Sequence, residues 1–273
     1  MPVSRRKFIK AGLIIIPAVV LTDAFWIEKF FIETNEFYIG AATKDTPNIK
    51  LVQISDLHLQ SVNSPLIRLA KKLNKLKPEL ILITGDAIDK AKNISLLNDF
   101  LNLIDRNIQK VAILGNWEYW GNVDLTELQK VYTNNNTTLL INQTKQYSFR
   151  DKTISITGVD DYVGGNADFA TAIKEYKKSD HHIVLNHCPQ YSDHISALSK
   201  SINIDFILSG HTHGGQINLF GFAPFLPRGS GKYIKGWYNK NDPKLYVSKG
   251  IGTSILPARF GARAEIAIFN LAI

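Results

Sequence analysis

The sequence predicts an α/β protein built as a layered sandwich, two sheets packed together with helices outside, in one domain. Three observations carry this. In the first half of the 273 residues, strand-like and helix-like segments alternate. The second half is richer in strands, joined by both helical and tight-turn connections. The composition is 45% hydrophobic and 21% charged, with no internal repeat or low-complexity tract, which excludes disordered, fibrous and repeat architectures. A chain of this length can bury a sizeable core.

Residues 41–48 read as a linker or turn, and the domain proper opens with a strand at Ile49–Ile54. Ser64–Leu76 has helical spacing, with Ser64 as cap and Pro65 in the first turn. Leu80–Thr84 is a short buried strand. Ile94–Ile108 is helical, with apolar Leu96, Leu97, Phe100, Leu101 and Ile104. Val111–Leu114 is a strand and Leu125–Tyr132 a short helix. Thr138–Ile141, Gln146–Phe149 and Ile154–Val159 read as strands, and Phe169–Lys177 as a helix. His182–Asn186 and Phe206–Ser209 are strands flanking a helix near Tyr191–Ser199. Gln216–Leu219, Lys244–Ser248 and Ala264–Asn270 complete the set. Residues 219–238 hold many aromatics among Gly and Pro, a segment that reads as a lid or wall for a greasy ligand or as core.

The N-terminus reads as an address. Ser4-Arg5-Arg6-Lys7-Phe8-Ile9-Lys10 precedes the apolar run 11–22, the pattern of an export signal. The pair Arg5-Arg6 resembles the bacterial twin-arginine signal, whose export machinery carries folded proteins. The run is shorter than the roughly 20 residues of a simple spanning helix, and no clean cleavage site follows it. Residues 1–40 are therefore expected to be a twin-arginine-type signal or membrane anchor with a short linker, and residues 41–273 a single domain. Basic residues before the run and Asp23, Glu28, Glu33 and Glu36 after it place the domain outside. The net charge of +8 favours anionic partners, but no dense basic run supports nucleic acid. Cys188 is the single cysteine, so there is no intramolecular disulfide and no Cys-based zinc site.

Five short segments carry chemistry, each just after a predicted strand, where ligand groups converge in α/β folds. They are Asp56-Leu57-His58, Gly85-Asp86, Gly115-Asn116, Asn186-His187 and Gly210-His211-Thr212-His213. Gly85, Gly115 and Gly210 let the chain turn and bring the next side chain to a crowded centre. Carboxylate, amide oxygen and imidazole suit borderline-hard divalent ions, and a carboxylate shared by two ions is the simplest way to hold them as a pair. Each segment alone is a common turn or surface pattern; five in order at strand ends are not. His181, His182 and His194 lack such a setting and read as structural or surface residues.

These segments resemble the calcineurin-like metallophosphoesterase superfamily over residues 49–273. His213-Gly214-Gly215-Gln216, Lys249-Gly250-Ile251-Gly252-Thr253-Ser254 and Pro257-Ala258-Arg259-Phe260-Gly261 further resemble the YkuE-like branch of exported or membrane-associated phosphoesterases, which includes enzymes with UDP-2,3-diacylglucosamine pyrophosphatase activity. The resemblance implies a four-layer αββα sandwich of two mixed sheets flanked by helices. It implies that Asp56, His58 and His213 bind one divalent metal, that Asn116, His187 and His211 bind a second, and that Asp86 bridges them. Manganese is the expected metal, with Fe²⁺, Zn²⁺ or Co²⁺ as alternatives. Asp86, Asn116 and His187 would act through a metal-activated hydroxide that attacks phosphorus in line. Gln216, Lys249, Arg228 and Arg259 are candidates for taking up phosphoryl charge.

Two positions depart from the pattern. The family often has His after the Asn, where this chain has Trp117 followed by Glu118. Asp86-Ala87-Ile88-Asp89 lacks the tyrosine of purple acid phosphatases, so no Fe(III)–tyrosinate colour is expected. The expected substrate is an anionic phosphoanhydride or phosphodiester, including a lipid-linked nucleotide such as UDP-2,3-diacylglucosamine. The alternatives are an exported general phosphodiesterase or phosphatase acting on cell-envelope phosphoesters, or a degenerate metal-binding protein. The expected location is the periplasm or cell envelope through the twin-arginine route, with cytoplasmic-face membrane association second.

Overall fold

A computed structural model describes residue 6 and residues 22–273. The twin-arginine reading, apart from Arg6 and Thr22, falls on residues outside that range. Among the described residues, twelve strands form two six-stranded sheets. The strands are β1 (Glu33–Ile39), β2 (Asn48–Ile54), β3 (Leu80–Thr84), β4 (Gln109–Ile113), β5 (Thr137–Leu139), β6 (Gln143–Phe149), β7 (Lys152–Gly158), β8 (His181–Leu185), β9 (Phe206–Ser209), β10 (Gly236–Tyr238), β11 (Lys244–Val247) and β12 (Glu265–Ala272). One sheet runs β1-β12-β2-β3-β4-β5 and the other β10-β11-β9-β8-β7-β6. Each is mixed: β12 is antiparallel to β2, β10 to β11 and β6 to β7, and the remaining pairs are parallel.

The central strands are apolar on both faces, as parallel strands covered on two sides require. Leu51, Leu80, Leu82, Val111 and Ile113 of the first sheet meet Ile154, Ile156, Ile183, Leu185 and Leu208 of the second. The outer face of the first sheet packs on the helices Ser64–Leu76, Ile94–Asn102 and Leu125–Asn134 through Val52, Ile54, Ile81, Ile83, Leu69, Leu73, Leu97, Phe100 and Leu128. The outer face of the second packs Val184, Ile207, Leu245 and Val247 against Ile195 of the helix Ser192–Leu198. The result is the four-layer αββα sandwich.

Several elements differ from the sequence reading. Glu33–Ile39, placed in the N-terminal linker, is a sheet strand, paired in parallel along its whole length with β12. Its alternating polar residues look like a solvated segment because an edge strand buries little. Asn63 rather than Ser64 caps the first helix, its side chain accepting from Leu66 N. The helix expected over Ile94–Ile108 stops at Asn102, and that expected over Phe169–Lys177 is one turn, Phe169–Ala172. Gln216–Leu219 joins no sheet; Ile217 and Leu219 make isolated bridges to Phe260 and Phe222.

Candidate metal centre

The parallel strands β2, β3, β4, β8 and β9 run the same way within their sheets and deliver the five segments to one end of the sandwich. The turn after each strand is tight. A Cβ on Gly85 would lie 2.5 Å from His187 Nδ1 and 2.8 Å from the Gly115 nitrogen, and one on Gly115 would collide with Asp86 Oδ1. Asp56, His58, Asp86, His211 and His213 all have left-handed backbone, with φ of 51°, 44°, 52°, 73° and 52°. This region costs energy for residues with a side chain and persists where the surroundings over-determine it.

Two trios result. Asp56, His58 and His213 form one and Asp86, His187 and His211 the other, with the ligand atoms of each within 4.8 Å of one another. All six residues are buried. His58 Nε2 and His213 Nε2 are 3.0 Å apart and His187 Nε2 and His211 Nδ1 3.3 Å apart. Asp86 Oδ2 lies between the trios, 3.1 Å from His187 Nε2 and 3.8 Å from His58 Nε2. Asn116, the seventh residue expected from sequence, begins a short helix and lines the same cleft as Asp86 and His211. Its Oδ1 is buried without a hydrogen-bond partner, a costly arrangement unless something binds there.

The residues fit a pair of cations. Histidine ligands are commonly fixed by a hydrogen bond from the second ring nitrogen. His187 Nδ1 donates to the Thr84 carbonyl at 2.8 Å and His211 Nε2 to the Arg228 carbonyl at 2.8 Å, while His58 Nδ1 pairs with Asp89. Each bond fixes the ring so that the inward nitrogen can offer its lone pair once deprotonated. Against burial, the nearby carboxylates (Asp86 for His187, Asp89 and Asp86 for His58) hold both rings above the usual imidazole range, so these are the protons a cation would displace. His213 differs: its Nδ1 faces Arg259 Nη2 at 3.3 Å. Burial, with His58 and Arg259 nearby, pushes His213 well below the usual imidazole range and so keeps it neutral. Burial alone would raise Asp86, but His187, His58 and His211 hold it below the usual carboxylate range, so it stays ionised. Asp56 is oriented by Ser55 Oγ at 2.6 Å and by the His211 backbone N–H at 3.0 Å.

The carboxylates behind this centre were not singled out from sequence. Asp89 lies within the segment already quoted, three residues past Asp86. Glu118, next to Trp117, sits on the helix Asn116–Trp120. Its carboxylate turns inward and accepts from the backbone nitrogens of Gly115, Asp86, Ala87 and Ile88, at 2.6 to 3.3 Å. It therefore organises the turns rather than facing the cleft. Asp161 accepts from Cys188 Sγ at 3.1 Å, consistent with the buried structural cysteine.

Of the four cation or amide candidates for phosphoryl charge, none is free to take it up as the side chains stand, apart from Arg228. Arg259 is fully buried and donates to the carbonyls of Lys249 at 2.7 Å, Ala262 at 2.8 Å and Gly252; it clamps the closing loop. Lys249 pairs with Glu33 and Glu265. Gln216 bonds Leu256 and Ser254. Arg228 is exposed, and its carbonyl is what holds His211.

Above the trios opens a cleft of about 420 Å³. Trp117, Trp120, Ile217, Phe225, Leu226, Pro227, Ile255 and Leu256 form its walls. Trp117 stands edge-on to His58, with ring centroids 6.1 Å apart, and against Trp120 at 5.5 Å. The aromatic segment 219–238 divides: Tyr233 is core, whereas Phe220, Phe222 and Phe225 are exposed and Phe225 borders the cleft. His182 is buried, His181 pairs with Asp205 at 2.9 Å, and neither they nor His194 approach the centre.

A family model described as Calcineurin-like phosphoesterase matches residues 49–215. The chain is similar to the metallophosphoesterase YkuE of Bacillus subtilis (strain 168), 30% identical over 98% of this chain and 97% of that protein. It is also similar to the metallophosphoesterase Cj0846 of Campylobacter jejuni, 33% identical over 82% of this chain and 59% of that protein. Among solved structures, a 5'-nucleotidase precursor from Thermus thermophilus superposes with a TM-score of 0.49 at 13% identity, over 83% of this chain and 54% of that one.

Proposed function

The chain belongs to the calcineurin-like phosphoesterase family and is a phosphoester hydrolase, and from that premise we propose that it works with two divalent cations and cleaves a phosphoanhydride or phosphodiester. The observation that carries the reading is the convergence, on one buried centre, of four imidazoles, two carboxylates and the unpartnered Asn116 amide oxygen. Imidazoles, carboxylates and an amide oxygen suit divalent ions such as Mn²⁺, Fe²⁺, Zn²⁺ or Co²⁺, and Mn²⁺ is the ion this reading takes. Bound there, such ions supply Lewis acidity toward phosphoryl oxygens and lower the pKa of water.

The side chains divide the remaining work. Asp86 Oδ1 accepts from the Trp117 N–H at 2.8 Å, so Oδ2 is the oxygen placed to be shared between the trios. Asp56, His58 and His213 serve one cation, and His187, His211 and Asn116 the other. The titratable groups lining the cleft are Asp86, His211 and His213, all of them ligands in this reading. Trp117 cannot act as an acid, because its indole N–H does not titrate usefully, and Glu118 is turned away. A positioned acid typically contributes about 10²–10⁴-fold. Without one, leaving groups that depart unprotonated are favoured, and the phosphate of an anhydride is such a group. The apolar cleft walls suit a substrate carrying hydrocarbon beside its phosphates, which makes a lipid-linked nucleotide such as UDP-2,3-diacylglucosamine the substrate of choice.

The test compares kcat/KM with Mn²⁺ for a nucleotide-diphospho-lipid and a matched alkyl phosphodiester. The anhydride should be strongly preferred, and Trp117→His should narrow the gap by raising the alkyl rate. Comparable values, or a preference for the alkyl ester, would refute the proposal.

A further inference from the structure

The rim of the cleft exposes apolar side chains at its outermost points. Phe225 is 84% exposed and Ile255 88%, with Leu256 and Trp120 about half exposed beside them, and all four border the cleft. Next to them a tight turn bridged by Leu219 and Phe222 carries Phe220 at its apex, with no protein covering it. Phe220 has φ of 54° and is followed by Gly221 at 99°. Turns of this kind favour Asn, Asp or Gly, and a bulky residue at positive φ is an outlier. The sequence thus keeps an aromatic ring in water in a disfavoured conformation, which neither stability nor solubility explains.

This turn, the 254–260 loop and the N-terminal turn are fastened together. Asn218 N donates to Phe260 O at 2.7 Å and Phe260 N to Gln216 O at 2.8 Å, while Arg259 N donates to Ala24 O at 2.9 Å. The last bond brings Phe25, Trp26 and Phe31, all exposed, to the same part of the surface. The chain that leads into Thr22 is the apolar run 11–22, preceded by Arg5, Arg6, Lys7 and Lys10. On residues 211–263, which bear Phe220, Phe225 and Ile255, there is one acid, Asp242, while Arg228, Lys232, Lys235 and Arg263 are exposed; the N-terminal turn adds the half-buried Asp23 and Glu33 and the buried Glu28. Aromatic and aliphatic tips among cations are the chemistry of a surface that enters an anionic bilayer interface. Large apolar side chains exposed together and bordered by polar residues mark an interaction site.

We infer that the cleft rim, with Phe220, Phe225 and Ile255 as its points of insertion, docks on an anionic lipid bilayer and sets the mouth of the cleft against the headgroups. This contact is made by the folded domain and is separate from any tether through residues 11–22. It also stands apart from the choice of substrate, because it is measured without turnover.

Cys188, the chain's single cysteine, is buried, so an introduced surface cysteine can be labelled selectively. In the full chain, Phe220→Cys and Ser148→Cys each receive an environment-sensitive fluorophore. Ser148 pairs with Thr153 at the start of β7, the opposite end of the sheet from the cleft. With phosphatidylcholine–phosphatidylglycerol vesicles, the label at position 220 should shift its emission to the blue while that at 148 does not. Replacing Lys232 and Lys235 with Ala should weaken vesicle binding, read from the label at 220, by about fivefold for each cation removed. A label at 220 that stays aqueous while the protein sediments with vesicles would assign binding to the N-terminal run alone and overturn the inference. A blue shift that needs no vesicles and grows with protein concentration would assign the patch to a second copy of the chain, and would overturn it as well.

Discussion

Asp86 has one carboxylate oxygen committed to the Trp117 N–H and the other facing both trios. Asp86→Ala should therefore abolish activity and empty both metal sites, whereas Asn116→Ala removes one amide ligand and should mainly strip the second ion. Metal analysis should read two ions per chain for the wild type and close to one for Asn116→Ala; an active wild type with a single ion would sink this assignment. Asp89 touches His58 on the side away from the centre. Loss of such a supporting partner typically costs about 10–100-fold in metal affinity. Asp89→Asn should show that loss in a competitive chelator titration while leaving the far-UV spectrum intact, and an unchanged affinity would assign Asp89 a packing role only.

At the scale of the elements, the turns after β3 and β4 depend on Glu118. Glu118→Ala would leave the buried N–H groups of Gly115, Asp86, Ala87 and Ile88 without their acceptor, at about 1–3 kcal/mol for each that finds no other. Urea denaturation should place this variant among severe core mutants; a midpoint shift of a few tenths molar or less would show that water replaces the carboxylate. On β8, burial pulls His182 down to about 4, and the ring stacks on Tyr176 and bonds Thr157. Its folded pKa lies below the ordinary value near 6.5, so the unfolded chain takes up the proton first as pH falls. Stability from this residue is present above pH 6.5 and is lost between 6.5 and 4, on the order of 3 kcal/mol in all. His182→Gln should flatten the wild-type slope over that window, and parallel slopes would place the titration elsewhere. The sequence made the parallel strands and their ligand turns legible because apolar runs such as Leu80–Ile83 and Phe206–Leu208 are followed, after one small polar residue, by Gly-Asp or Gly-His. It concealed β1, since a polar edge strand owes its state to β12 rather than to its own pattern, and it concealed Glu118, since the direction of a side chain depends on whether its segment is helix or strand.

For the whole molecule, buried ligands bind cations only after shedding protons. Cation uptake should release protons, and affinity should fall as pH decreases; calorimetry in buffers of different ionisation enthalpy reads that release directly, and a proton-neutral uptake would contradict the ligand set. Chelation should lower the thermal midpoint, since a site saturated a hundredfold above its Kd stabilises by about 2.7 kcal/mol. The order of strands adds a matter of timing. β12 lies between β1 and β2, in register with both, so a strand synthesised more than 200 residues later must enter between two made well before it. Until residues 265–272 leave the ribosome, β1 has no partner in the sheet and the N-terminal turn that hangs from it is not seated against Arg259. The early part of the chain waits for the late part, and pairing across such sequence distances is slow to form. A ribosome-stalled chain lacking residues 265–272 should therefore leave residues 22–39 open to protease while the released full chain protects them.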